Sequence, residues 1–184
     1  MTPLRLAVII GSTREGRMGD TVARWFVDQA GRRDDITVSV LDLAGYDFPA
    51  SYPAEPTSAI RSFVREVGRA EAFAVVTPEY NHSFPASLKQ AIDYAYDEWQ
   101  AKPVGFVSYG CRSTGLHAVD QLRTVFTALH ATTMRDVVGV DLLCGEPSPL
   151  HADQLCQDAR VLLDELAWWG LALRDGRAAR PYVS

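Results

Sequence analysis

Five short apolar runs punctuate the chain: LRLAVII (Leu4–Ile10), ITVSVLDL (Ile36–Leu43), AFAVVT (Ala72–Thr77), PVGFVSY (Pro103–Tyr109) and VVGVDLL (Val137–Leu143). None is amphipathic, which marks strands covered on both faces of a sheet. The second and fifth are the more polar, as edge strands are. Helical spacing fills the intervals. Val22, Phe26 and Ala30 share a face of a helix starting near Gly19, and Ile60, Phe63, Val64 and Val67 share another. Leu88, Ala91, Ile92, Ala95 and Trp99 predict a third helix, with Pro85 opening it. Val119, Leu122, Phe126 and Leu129 predict a fourth, and Leu155, Ala159, Leu162, Leu163 and Leu166 a fifth.

Strict alternation of strand and helix predicts an α/β fold. Right-handed crossovers place helices on both faces of a parallel sheet, giving three layers. Five such units match the flavodoxin-like, doubly wound five-stranded arrangement with strand order 2-1-3-4-5. Residues 1–176 form one domain in this reading, and 177–184 (RAARPYVS) a poorly ordered or partner-facing tail.

Composition narrows the partners. With 184 residues, 47% of them hydrophobic, the chain can fold without disulfide or metal staples. A net charge of −5 disfavours nonspecific contact with nucleic acid or anionic membrane. Cys111, Cys144 and Cys156 form no C-x-x-C pair and no zinc-like spacing with histidine, so no metal site is expected. An odd cysteine count, no export signal and no run of about 20 apolar residues point to the cytoplasm.

The strand order makes a statement about chemistry. In open α/β sheets ligands bind beyond the carboxyl ends of strands at the point where the order reverses. That brings together the loops after strands 1, 3 and 4: GSTREGRMGD, PEYNHSFP and GCRSTG. The first offers free backbone amides, a helix N-terminus, the hydroxyls of Ser12 and Thr13, and Arg14, all suited to an anion. Glu15 and Asp20 offset Arg14 and Arg17, so donor geometry rather than net charge must hold the anion. The loop has neither a Walker lysine nor the third glycine of a dinucleotide loop. No acidic residue at fixed spacing ends a clear second Rossmann strand, which argues against a stably bound dinucleotide.

GSTREGRMG, TPEYNHSFPASLKQAIDY (Thr77–Tyr94) and VSYGCRSTGLHAVDQLR (Val107–Arg123) resemble the signature segments of the NADPH-dependent FMN reductase family. The pattern P-E-Y-N-x-S-x-P-x-x-L-K-x-A-I-D is long and specific. The resemblance implies an FMN-dependent NAD(P)H oxidoreductase, in which a transient NADPH or NADH supplies hydride through bound FMN. The acceptor would be a small molecule: a quinone, azo compound, metal oxyanion or flavin. Ser12 and Arg14 would grip the FMN phosphate, with Arg17, Met18, Gly19 and Asp20 closing around it, mainly through backbone amides. Pro78, Glu79, Tyr80 and Asn81 would line the ring, flanked by Ser108, Tyr109, Gly110 and Ser113. The flavin carries the hydride, so no catalytic side chain is assigned. The family also implies a homodimer or homotetramer, with Glu79 and the third helix at the interface. The alternative is a non-enzymatic flavodoxin-like electron carrier.

Overall fold

The computed structural model describes residues 2–142, 150 and 153–183. Five strands, β1 (Leu4–Ile10), β2 (Ile36–Asp42), β3 (Ala72–Pro78), β4 (Pro103–Gly110) and β5 (Thr132–Asp141), form one parallel sheet in the order β2-β1-β3-β4-β5. The helices are α1 (Gly19–Ala30), α2 (Ser58–Arg69), α3 (Ala86–Asp93), α4 (Leu116–Ala128) and α5 (Asp153–Ala179). The flavodoxin-like fold expected from the sequence is the fold observed.

Two apolar layers hold the sheet. On one face Leu6, Val8 and Val107 meet Phe26 of α1 and Leu162 and Leu166 of α5. On the other, Phe73, Val75 and Phe106 meet Phe63 of α2, Leu88 of α3 and Phe126 of α4. Trp99 packs among them, its ring 4.6 Å from that of Phe73.

Three boundaries differ from the pattern-based expectation. Trp99 does not continue the third helix. α3 stops at Asp93 and Trp99 lies in a separate 3-10 turn, Asp97–Trp99. Local side-chain bonds compete with the helix there: Glu98 accepts from the Tyr96 amide at 3.1 Å, and Gln100 donates to Asp97 at 3.1 Å. Trp99 is nonetheless fully buried, its indole donating to the Ile92 carbonyl at 3.1 Å. β5 begins at Thr132 rather than Val137, because Thr132 and Thr133 pair with Pro103 and Val104 before a register shift. Polar Arg135 and Asp136, exposed on the edge strand, hide this start; Leu143 lies outside the described residues. The expected tail begins inside α5, which runs on to Ala179. Arg177 donates to the Ala101 carbonyl, and Tyr182 Oη lies 2.8 Å from His130 Nδ1.

β1, β3 and β4 are neighbours, and their ladders continue into the loops beyond them. Gly11 N–H donates to the Val76 carbonyl at 2.9 Å and Glu79 N–H to the Tyr109 carbonyl at 3.1 Å. The three loops therefore leave the sheet side by side.

Candidate functional site

The first loop is braced from within. Arg17 reaches across it and bonds both carboxylate oxygens of Asp42, at 2.8 and 2.6 Å, and Asp20 at 2.7 Å. It also donates to the Ser12 carbonyl. The fork geometry of guanidinium and carboxylate makes this a directional clamp. Arg17's hydrogen bonds hold Asp42 below the usual carboxylate range, and Asp42 in turn raises Arg17 above its ordinary value. An acidic residue does end β2, contrary to the sequence expectation. Its oxygens accept from Arg17 and from the Ala44 amide (3.0 Å), so its role in this structure is to brace the first loop.

Beyond the brace, α1 begins at Gly19, and Met18 at its N-cap supplies no side-chain acceptor. The Thr21 amide donates to the Met18 carbonyl at 3.1 Å, which leaves the Gly19 and Asp20 amides as the first-turn donors for an anion, reinforced by the helix dipole. A Cβ at position 19 would lie 3.0 Å from Tyr109 Oη and 3.2 Å from Ile10. Glycine lets the β4 tyrosine reach the start of the helix. Ser12 is fully buried, and its Oγ lies 3.0 Å from Tyr80 Oη.

The second loop turns back sharply. Tyr80 and Ser83 exchange backbone hydrogen bonds at 2.7 and 3.0 Å, while Asn81 and His82 sit at φ of 50° and 62°. Two successive left-handed residues define a type I′ turn, in which asparagine is favoured. Gln121 of α4 holds it by donating to the His82 carbonyl at 2.7 Å and accepting from Ser83 Oγ at 2.6 Å. Glu79 accepts from Ser113 Oγ at 2.8 Å and from the His117 amide at 3.2 Å, joining the second and third loops.

The third loop is held by Ser108, which is buried and donates to the Thr114 carbonyl at 2.8 Å. Gly115 follows at φ +89°. Tyr109, one residue on from Ser108 and hence on the opposite face of the strand, projects toward α1.

Together these loops enclose an open cleft of about 520 Å³, within the usual range for a cofactor site. Arg14, Arg17 and Met18 form one wall, Pro78, Glu79 and Tyr80 another, and Tyr109 with Gly110 the floor. Ser12, Gly19, Asp20, Asn81, Ser108 and Ser113, also expected at the site, do not line it. Ser108 and Ser113 spend their hydroxyls on the loop framework, and Asn81 occupies the turn. Sequence reasoning missed Glu15, Gly16, Cys111 and Leu142, which do line it. The free thiol of Cys111 is exposed. Among the described residues no cluster of His, Cys, Asp and Glu could hold a metal ion, and no helix is long and apolar enough to cross a membrane.

This arrangement suits FMN. One wall carries Arg14 and the α1 N-cap residue Met18, chemistry compatible with a phosphate, and the other carries Pro78 and Tyr80, compatible with a flat ring. The chain belongs to the NADPH-dependent FMN reductase family, which it matches over residues 4–142. It is 34% identical over 126 residues to an NAD(P)H-dependent FMN reductase of Schizosaccharomyces pombe, 62% of each protein. To an NAD(P)H-dependent FMN reductase of Saccharomyces cerevisiae it is 32% identical over 155 residues, 74% of this chain and 79% of that protein. A quinone reductase of Pseudomonas putida is 34% identical over 128 residues, 63% of this chain and 67% of that one. The matched region spans about six tenths of the length of the first two curated relatives, those of S. pombe and Nectria sp. The fold is also that of the NAD(P)H:acceptor flavoenzyme FerB from Paracoccus denitrificans, with TM-score 0.75, 18% identity and coverage of 92% and 98% of the two chains.

Proposed function

We propose that the chain is an FMN-dependent NAD(P)H oxidoreductase acting on quinone-class acceptors. The observation that carries this reading is the meeting of three loops around one cleft with Met18, the N-cap residue of α1, in its wall. The names of relatives, a quinone reductase and a 2-hydroxy-1,4-benzoquinone reductase among them, favour a quinone over an azo compound or metal oxyanion. Bound FMN would supply the hydride chemistry, accepting from reduced nicotinamide and returning to the acceptor.

The chain's own part is placement. First-turn amides of α1 and Arg14 take the phosphate, while the Arg17–Asp42 clamp fixes the loop that presents them. Pro78 and Tyr80 give the ring a stiff, partly apolar wall. The Glu79–Ser113 bond locks two walls together, so the ring meets a preformed slot. A homodimer or homotetramer is part of the proposal, supported by the exposed aromatic rings of Tyr52 and Tyr96. The free thiols of Cys111 and Cys156 fit a reducing cytoplasm.

Apoprotein mixed with FMN should bind it, and NAD(P)H oxidation should then turn over on addition of benzoquinone. Failure to bind FMN overturns the reading. Binding without turnover identifies a carrier instead. Arg14 is exposed on the cleft wall, and no hydrogen bond or ion pair holds it among the described residues. Arg14→Ala should therefore weaken FMN binding by roughly tenfold, the lower end for a solvent-screened charged hydrogen bond. Flavin fluorescence titration checks this, with an unchanged melting temperature expected.

A further inference from the structure

Tyr109 stands near the end of β4, and its ring joins the core beneath α1 and α5. Its hydroxyl lies buried against Gly19, the first residue of α1, 3.0 Å from where a Cβ would stand. The residue is 4% exposed, yet Oη makes no hydrogen bond of normal geometry among the described residues. Burying such a group unpaired is costly, and native chains do it where a missing partner is supplied.

The surroundings say what that partner is. Asp20 pairs with Arg17 at 2.7 Å and Ser12 Oγ lies 3.0 Å from Tyr80 Oη, and neither gives Tyr109 Oη a partner of normal hydrogen-bond geometry. The α1 amides beside it are donors, so they cannot satisfy a donor. Burial, and then the nearby Tyr80, push the phenol's ionisation above its ordinary range, with Ser12 pulling the other way. The hydroxyl therefore keeps its proton and can donate it. Helix amides and an unclaimed O–H meeting at one spot suit an anionic oxygen acceptor.

We propose that Tyr109 Oη is a direct ligand to the terminal phosphate of FMN, reaching it through the space that Gly19 leaves open. The inference rests on the FMN reading above and adds a residue from β4 to a phosphate site otherwise built from the first loop. Gly19 and Tyr109 work as a pair: the glycine has no side chain, and the tyrosine supplies the donor in its place. The phenol thus discriminates FMN from riboflavin, which shares the ring system and lacks the phosphate.

The test titrates apoprotein with FMN and with riboflavin, following flavin fluorescence. Tyr109→Phe should weaken FMN binding by about tenfold or more and leave riboflavin binding within about twofold. Its apo melting temperature should not fall, because the substitution removes an unpaired buried group. Gly19→Ala, which drives a methyl against Oη, should show the same selective loss of FMN. Unchanged FMN affinity in Tyr109→Phe would overturn the proposal, as would an equal fall for FMN and riboflavin, which would place the ring against the isoalloxazine. If the unsubstituted protein fails to bind FMN, the flavin reading itself falls, and that result is distinct from either.

Discussion

Gly115→Ala is expected to cost the domain roughly 3 kcal/mol or more, from left-handed strain and overpacking together. The residue sits at φ +89° as the N-cap of α4. A Cβ there would lie 2.7 Å from Ser108 Cβ and 3.0 Å from the Tyr109 amide nitrogen. Both are fixed atoms of a central strand, so neither can swing aside as the end of a long side chain can. The loop must move instead, breaking the 2.8 Å bond from Ser108 to the Thr114 carbonyl. Tyr109, Gly110 and Cys111 line the cleft from that segment, so flavin affinity should fall along with stability. Gly16 provides the comparison. It is also left-handed, at φ +67°, but nothing lies within 4 Å of an added Cβ. Gly16→Ala should then cost only the conformational part, about 1 kcal/mol. Urea denaturation of both variants measures the difference, and a Gly115→Ala cost no larger than that of Gly16→Ala would contradict the steric account.

The strands, their order and the three converging loops were legible because each depends on local pattern. Apolar runs mark central strands, and strand order then decides which loops meet. What pattern could not show was how polar atoms are spent. Arg17 looked like one of several phosphate-loop residues, because its partner Asp42 arrives from another strand at no fixed spacing. Ser108 and Ser113 sit in a glycine-rich loop where a hydroxyl aimed at a ligand and one aimed at a carbonyl look alike in sequence. Strand alternation held a signal that would have helped. Ser108 and Tyr109 must face opposite sides of the sheet, so only one of them could point toward α1. Leu142 was missed because it belongs to the cleft through the loop beyond the edge strand, where its amide donates to the Gly110 carbonyl at 3.1 Å. Trp99 kept helical spacing by coincidence. The core claimed its ring while the backbone between it and α3 took another path.

Folding stability should rise as pH climbs from about 8 toward 10.5, and the cause is Lys102. It is 7% exposed at the end of the sheet opposite the cleft, just before β4. Its ammonium donates to the Val67 and Gly68 carbonyls at 3.0 and 3.1 Å, near the C-terminus of α2. Burial, followed by the charge of Arg177, pulls its pKa from 10.5 down to about 8, with Arg5 acting the same way and Glu98 and Glu71 opposing. Between those values the unfolded chain holds a proton that the folded chain has released, so stability increases with pH. The gain is bounded by about 3 kcal/mol, the free-energy equivalent of the shift. Below pH 8 the penalty of burying the charge is fully present. Tyr109 and Tyr46 act in the opposite sense at higher pH. Burial raises both above the ordinary phenol value of 10, so the folded chain keeps protons that the unfolded chain loses, and stability declines. A maximum near pH 10 should result. Lys102→Met removes the titrating group while keeping an unbranched side chain of similar length. Denaturant midpoints of that variant should lack the rise above pH 8 yet retain the later fall. A rise that persists in Lys102→Met would assign it to another group, and a flat profile in the parent chain would show that the two carbonyl bonds hold the ammonium at its ordinary pKa despite burial.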